Sequence, residues 1–157
     1  IRLRVREGHS VENFLPEVVE KYFISHHLYL EALAMNSKIP EFREKLQKKL
    51  NPGRYAHSLS VAFTCICLAM RYGYPIDQAE VAGMLHDCAK GYDNDTIIRH
   101  CEKKGIEITE DERKAPAVLH AKYGAWLAEN TYDIHDQEIL DAIACHTTGK
   151  PAMGLFD

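Results

Sequence analysis

Four histidines and one aspartate mark where this chain could do chemistry. His57 lies in "NPGRYAHS", His86 and Asp87 stand side by side in "GMLHDCAKGY", His120 follows Leu119 in "LHAKYGAWLA", and His146 sits in "CHTTGKPAM". Neutral imidazole nitrogens and carboxylate oxygens are both metal ligands. A set without thiolate disfavours a structural zinc site and suits iron, manganese or magnesium. One Asp and four His exceed what a single ion with open positions needs. Two divalent ions with Asp87 as the bridge fit better. Such a pair, about 3.5–4 Å apart, can deprotonate water near neutral pH and clamp a phosphoryl oxygen. That is apparatus for in-line attack on a phosphoester or phosphoanhydride.

Phosphate holders lie close by in the sequence. Arg54 precedes His57 by three residues, Lys90 follows Asp87 by three, and Thr147, Thr148, Gly149 and Lys150 come directly after His146. Two hydroxyls, a glycine and a lysine after a metal ligand make a reasonable anion cradle. Each piece also has a plainer reading: a helix-start arginine in solvent, a lysine at a helix C-terminus, a helix stop before Pro151. An HD dipeptide alone would equally suit two polar residues at a helix end. The weight comes from finding four histidines on inner helix faces, because burying that many titratable groups is costly unless something satisfies them.

The elements that would gather these residues read as helices. No stretch keeps period-two alternation, so the expected fold class is all-α, a helical bundle with a short N-terminal helical appendage. Pro16 opens a first helix with Val18, Val19, Tyr22 and Phe23 as its stripe. A second follows Pro40, with Phe42, Leu46 and Leu50 on one face, and Asn51-Pro52-Gly53 stops it. The third runs from Arg54 to Tyr72. Its "VAFTCICLAM" is apolar nearly all round and predicts a central buried helix. The fourth starts at the N-cap Asp77 and reaches Asp87. His86 shares its face with Ala79 and Ala82, small residues that let another helix or a bound group come close. Further helices are expected over 94–104, from Pro116 to Asn130, and over 136–145. His120 shares a face with Gly124 and Leu127, and His146 with Ile139 and Ile143. The charged stretch 105–115 reads as a solvated loop. His9, His26, His27, His100 and His135 read as solvated, dipole-complementing or capping residues.

Composition narrows the class. The chain has 157 residues, 46% hydrophobic, with a net charge of −4. That suits one domain with a real core plus an appendage. No basic run with interleaved aromatics suggests a nucleic-acid groove. No apolar run approaches a membrane span, and no signal peptide is visible. The five cysteines lack framework spacing and read as free thiols in a reducing compartment, which makes the cytoplasm the expected location. Cys65 and Cys67 read as core thiols, and Cys88 as packing.

Taken together, "RYAHSLSVA", "AGMLHDCAK", "LHAKYGAWLA" and "EILDAIACHTTGKPAMGLFD" resemble the HD-domain hydrolases of the YqeK type, over residues 39–157. The resemblance implies an all-helical HD fold, a dinuclear iron-type centre and symmetrical cleavage of diadenosine tetraphosphate to two ADP. By position it makes His57, His86, Asp87, His120 and His146 ligands. It also implies that Lys90, Thr147, Thr148 and Lys150 lie near the site. It implies one more Asp ligand on a helix after the H-T-T-G block. The expectation is a domain cut before its last helices, with activity belonging to the intact parent.

Residues 1–29, "IRLRVREGHSVENFLPEVVEKYFISHHLY", resemble instead the tail of bacterial nicotinate-nucleotide adenylyltransferases. That implies residues 1–35 as the end of a nucleotidyltransferase-like domain and residues 36–157 as the hydrolase domain of a fused protein. Arg2 would be a remnant of the nucleotide site. Expected partners are a dinucleoside polyphosphate, the fused upstream domain and a second copy of the chain in a homodimer.

The expected function is metal-dependent phosphoanhydride hydrolysis, with Asp87 and Lys90 in the catalytic set. One alternative keeps the ions but takes a nucleoside monophosphate or guanosine polyphosphate. Another makes the domain a non-catalytic regulatory module.

Overall fold

The structure is a computed structural model that describes residues 31–154 and 156. The chain divides into two compact units, Ile1–Pro40 and Glu41–Asp157. The helix expected from Pro16, its stripe, Arg2, His9, His26 and His27 lie outside the described residues.

Every regular element among the described residues is helical, as the sequence predicts. In chain order these are α1 (Glu31–Lys49), α2 (Pro52–Tyr72), α3 (Ile76–Leu85), α4 (Asn94–Lys104), α5 (Glu110–Lys114), a 3-10 turn (Pro116–Val118), α6 (Leu119–Tyr132) and α7 (Gln137–Cys145).

Within the second unit the expected face of α1 is the buried one: Phe42, Leu46 and Leu50 are at most 6% exposed. Phe42 meets the Tyr132 ring edge-on, 5.5 Å between centroids. Lys45 Nζ donates to the Thr131 carbonyl at 3.2 Å, tying α1 to the end of α6. The centre of the unit is α3 and α6. Ala79, Val81, Ala82, Gly83, Met84 and Leu85 are all buried on α3. On α6 Leu119, Ala121, Tyr123, Leu127, Ala128 and Tyr132 are buried. α3 packs on α2 and α7, and α6 packs on α4 and α7.

Several expectations are corrected. α2 is not the central buried helix. Only Ser58, Ala62 and Ala69 are buried on it, while Phe63, Leu68, Met70 and Tyr72 are exposed. Its small-residue stripe seats on α3, and an all-round apolar pattern does not say which flank a neighbour covers. Cys65 is consequently half-buried and Cys67 exposed, so neither is a core thiol.

Asn51-Pro52-Gly53 starts α2. Asn51 is its N-cap, with Oδ1 accepting from Arg54 N at 2.9 Å, and Pro52 opens the first turn. α1 does not begin after Pro40 but carries the proline inside it. The cost is one absent backbone donor. α3 starts at Ile76 with no side-chain cap and ends at Leu85, which puts Asp77 in its first turn. The charged stretch 105–115 holds a helix after all. Thr109 and Glu112 form a reciprocal capping box that nucleates α5. His100 is not solvated: it is half-buried, with Nδ1 2.9 Å from the Tyr123 hydroxyl.

Candidate metal centre

His86 is the C-cap residue of α3, and His146 is the C-cap residue of α7. His120 is the second residue of α6, directly after the 3-10 turn. At these positions the backbone carbonyl three residues earlier has no helical partner to satisfy it. Each histidine takes its own. His86 Nδ1 donates to the Gly83 carbonyl at 2.7 Å, His120 Nδ1 to that of Ala117, and His146 Nδ1 to that of Ile143 at 2.8 Å. A carbonyl only accepts, so the proton of each neutral ring lies on Nδ1 and Nε2 is a bare acceptor. Second-layer bonds of this kind fix the tautomer and orientation of metal-binding histidines. Sequence reading missed Gly83, Ala117 and Ile143 in this role. The signal was available in the placement of the histidines at helix ends.

The bare nitrogens converge on Asp87. Its Oδ1 lies 3.2 Å from His120 Nε2 and 3.6 Å from His146 Nε2, while its Oδ2 lies 3.6 Å from His86 Nε2. The His57 and His86 rings meet with centroids 5.2 Å apart. Two groups therefore form, His57 with His86 and Asp87, and Asp87 with His120 and His146. In each the donor atoms lie within 4.8 Å of one another. Asp87 belongs to both and turns one oxygen toward each.

The electrostatics of the site call for positive charge. Burial opposes ionisation of Asp87, but the imidazoles of His120, His146 and His86 and the Lys90 ammonium around it hold its carboxyl far below the usual range. Burial outweighs the Gly83 bond and the Asp87 charge at His86 and lowers its pKa, keeping the ring neutral. The Nε2 atoms of His120 and His146 face each other at 3.2 Å. Two bare lone pairs at that distance repel unless a cation lies between or beside them. The Lys90 ammonium supplies one such charge, 3.0 Å from His120 Nε2. This donor set of imidazole and carboxylate, without a thiolate in reach, fits a pair of divalent ions. Cys88 is excluded from it: its thiol bonds the Gly124 carbonyl at 3.5 Å, and burial pushes its pKa up to about 12.

The remaining sequence-predicted residues separate into near and far. Thr147 Oγ1 lies 3.2 Å from His146 Nε2 and 3.4 Å from His120 Nε2, at the exposed edge of the cluster. Gly149 takes a left-handed turn at φ 70°. Thr148 is exposed and its hydroxyl bonds the Gly149 carbonyl at 3.2 Å. Lys150 pairs with Asp141 at 2.9 Å. Arg54 is half-exposed in the first turn of α2. A mostly apolar cavity of about 450 Å³, lined by Cys65, Leu68, Tyr72, Tyr74 and Ala142 among others, reaches His86 and His146.

The sequence profile described as "HD domain" matches residues 54–155. The chain belongs to the HD-domain family. This HD chain is 34% identical over 114 residues to a Bacillus subtilis protein named "Bis(5'-nucleosyl)-tetraphosphatase, symmetrical", covering 71% of the chain and 60% of that relative. It thus spans about three fifths of the length of that relative. It is 29% identical over 146 residues to a Mycoplasma genitalium protein named "Probable nicotinate-nucleotide adenylyltransferase/Ap4A hydrolase", covering 93% of the chain and 37% of that relative. A crystal structure of a predicted HD superfamily hydrolase involved in NAD metabolism, from Clostridium acetobutylicum, superposes with a TM-score of 0.72. The two are 36% identical, and the match covers 74% of this chain and 62% of that one.

Proposed function

We propose that the intact protein is a metal-dependent hydrolase that cleaves diadenosine tetraphosphate symmetrically to two ADP. The observation that carries this reading is the Asp87 carboxylate, one oxygen toward His86 and the other toward His120 and His146. The name of the Bacillus relative supports the substrate. One ion would lie against His57, His86 and Asp87 and the other against Asp87, His120 and His146. Iron is the ion proposed, with manganese or magnesium as substitutes. When bound, the pair supplies an acidified water and a clamp for phosphoryl oxygens.

The protein's own residues do the rest. Backbone carbonyls hold three imidazoles with Nε2 inward, so no reorganisation is needed at the moment of reaction. Lys90 puts a positive charge beside the cluster, where a phosphoryl oxygen gains negative charge. Thr147 offers a hydroxyl at the same edge. Gly149 and Lys150 turn the chain next to it, and Arg54 and Thr148 stand ready to meet more distant phosphates.

The Mycoplasma relative covers 93% of this chain, including most of residues 1–40, which supports a nucleotidyltransferase domain upstream in the parent protein. All five cysteines are free, which supports a cytoplasmic location. No described helix is long and apolar enough to cross a membrane.

The test is product analysis with diadenosine tetraphosphate and the intact protein. ADP as sole product, absent in His86→Ala and Asp87→Ala, is the expected result. Paired ATP and AMP, or equal turnover in both variants, would refute it.

A further inference from the structure

Gly83 has two roles at the α2–α3 crossing. Its carbonyl takes the His86 Nδ1 proton at 2.7 Å. Its missing side chain lets α3 come close to α2. A Cβ built there would stand 2.8 Å from Ala62 Cα, 3.1 Å from Ala62 N and 2.9 Å from Cys65 Sγ. The thiol could swing away. The Ala62 backbone cannot. The residues meeting at this crossing are small on both sides: Ser58, Ala62 and Ala69 on α2, and Ala79, Ala82 and Gly83 on α3, all buried. Ser58 carries His57 as its neighbour on α2, and Gly83 lies one turn before His86 on α3. The crossing therefore sets how far His57 stands from His86, now 5.2 Å between ring centroids.

We infer that Gly83 is a positioning residue that holds His57 in reach of the His86–Asp87 pair. The inference rests on the two-ion reading above. It assigns the two half-sites different sensitivities. The Asp87–His120–His146 group takes no ligand from α2. The His57–His86–Asp87 group depends on this crossing. Relieving a 2.8 Å contact moves α2 by at least about half an ångström, beyond the roughly 0.2 Å that metal–ligand distances tolerate.

Gly124 supplies the matching control. It also borders the site, but a Cβ there meets only ordinary contacts: Ile143 Cγ2 at 3.5 Å, His86 O at 3.6 Å and Cys88 Sγ at 3.7 Å.

The experiment measures bound metal per chain by elemental analysis, and the paramagnetic spectrum after manganese loading, in the intact protein. The wild type and Gly124→Ala are expected to bind two ions and give a coupled-pair spectrum. Gly83→Ala is expected to keep one ion and lose the coupling. Its affinity for the second ion should weaken by about 10–100-fold, the size of other supporting-layer effects. Ala62→Val widens the same crossing from α2 and is expected to do likewise, so the outcome does not depend on one variant folding. Two tightly bound, coupled ions in both crossing variants, or equal loss in Gly124→Ala, would overturn the inference. A wild type that binds no metal would instead overturn the reading on which it rests.

Discussion

His120 and His146 present bare Nε2 atoms to each other across 3.2 Å, because each ring has committed its Nδ1 proton to the carbonyl three residues earlier. A positive charge beside them relieves their repulsion, and the Lys90 ammonium stands 3.0 Å from His120 Nε2. The same geometry makes the cluster sensitive to any loss of the neighbouring cation.

The pH dependence has a definite sign. Burial, opposed by the Gly83 bond and the Asp87 charge, sets the folded pKa of His86 below 6.5. The unfolded chain therefore binds more protons in that region. The stability tied to the neutral ring is fully present above about pH 6.5 and is lost as pH falls below it. In metal-free protein, urea midpoints are expected to fall between pH 7.5 and 5.5 more steeply for wild type than for His86→Gln. Parallel slopes would refute this.

In the proposed function Lys90 acts on charge rather than on metal retention. Lys90→Met removes the ammonium 3.0 Å from His120 Nε2. Losing one such electrostatic partner typically costs 10²–10³ in kcat, and a drop of about that size is expected with bound metal unchanged. Loss of metal together with activity would mean that Lys90 is structural.

The edge-on contact of Phe42 with Tyr132 joins α1 to the central helix of the unit. Phe42 is 1% exposed. Phe42→Ala is expected to destabilise the protein by about 3–5 kcal/mol, read as a lower urea midpoint at unchanged slope. A change under 1 kcal/mol would show that α1 contributes little.

The thiols should sort by burial. Cys67 is exposed, whereas Cys88 is 1% exposed with its pKa raised to about 12. Thiol reagent at pH 8 is expected to label Cys67 within the native state and Cys88 only on unfolding. Native-state labelling of Cys88 at the rate of Cys67 would contradict the packing described.

Much of this was legible in the sequence, and the exceptions have physical causes. The α1 face of Phe42, Leu46 and Leu50 follows from helical spacing alone. His86 and His120 were legible as buried polar residues on apolar faces near helix ends, whereas His57 and His146, also expected on inner faces, are exposed in the structure, because a site at the helix ends opens to solvent on one side. The role of α2 was not, because an all-round apolar pattern specifies no partner for each flank. The centrality of α3 was hidden by its small residues: Ala79, Ala82 and Gly83 carry little hydropathy but permit close approach. The α5 capping box was masked by the charge of its stretch. The histidine tautomers depend on which carbonyls the helix ends leave free, which periodicity does not report.

The central claim is that five residues hold two ions with Asp87 between them. Diffraction from crystals of the metal-loaded intact protein, recorded at the metal absorption edge, tests it most directly. Two anomalous peaks are expected about 3.5–4 Å apart, one against His57, His86 and Asp87 and one against Asp87, His120 and His146. No peak among these residues, or peaks that leave Asp87 uncoordinated, would contradict the account.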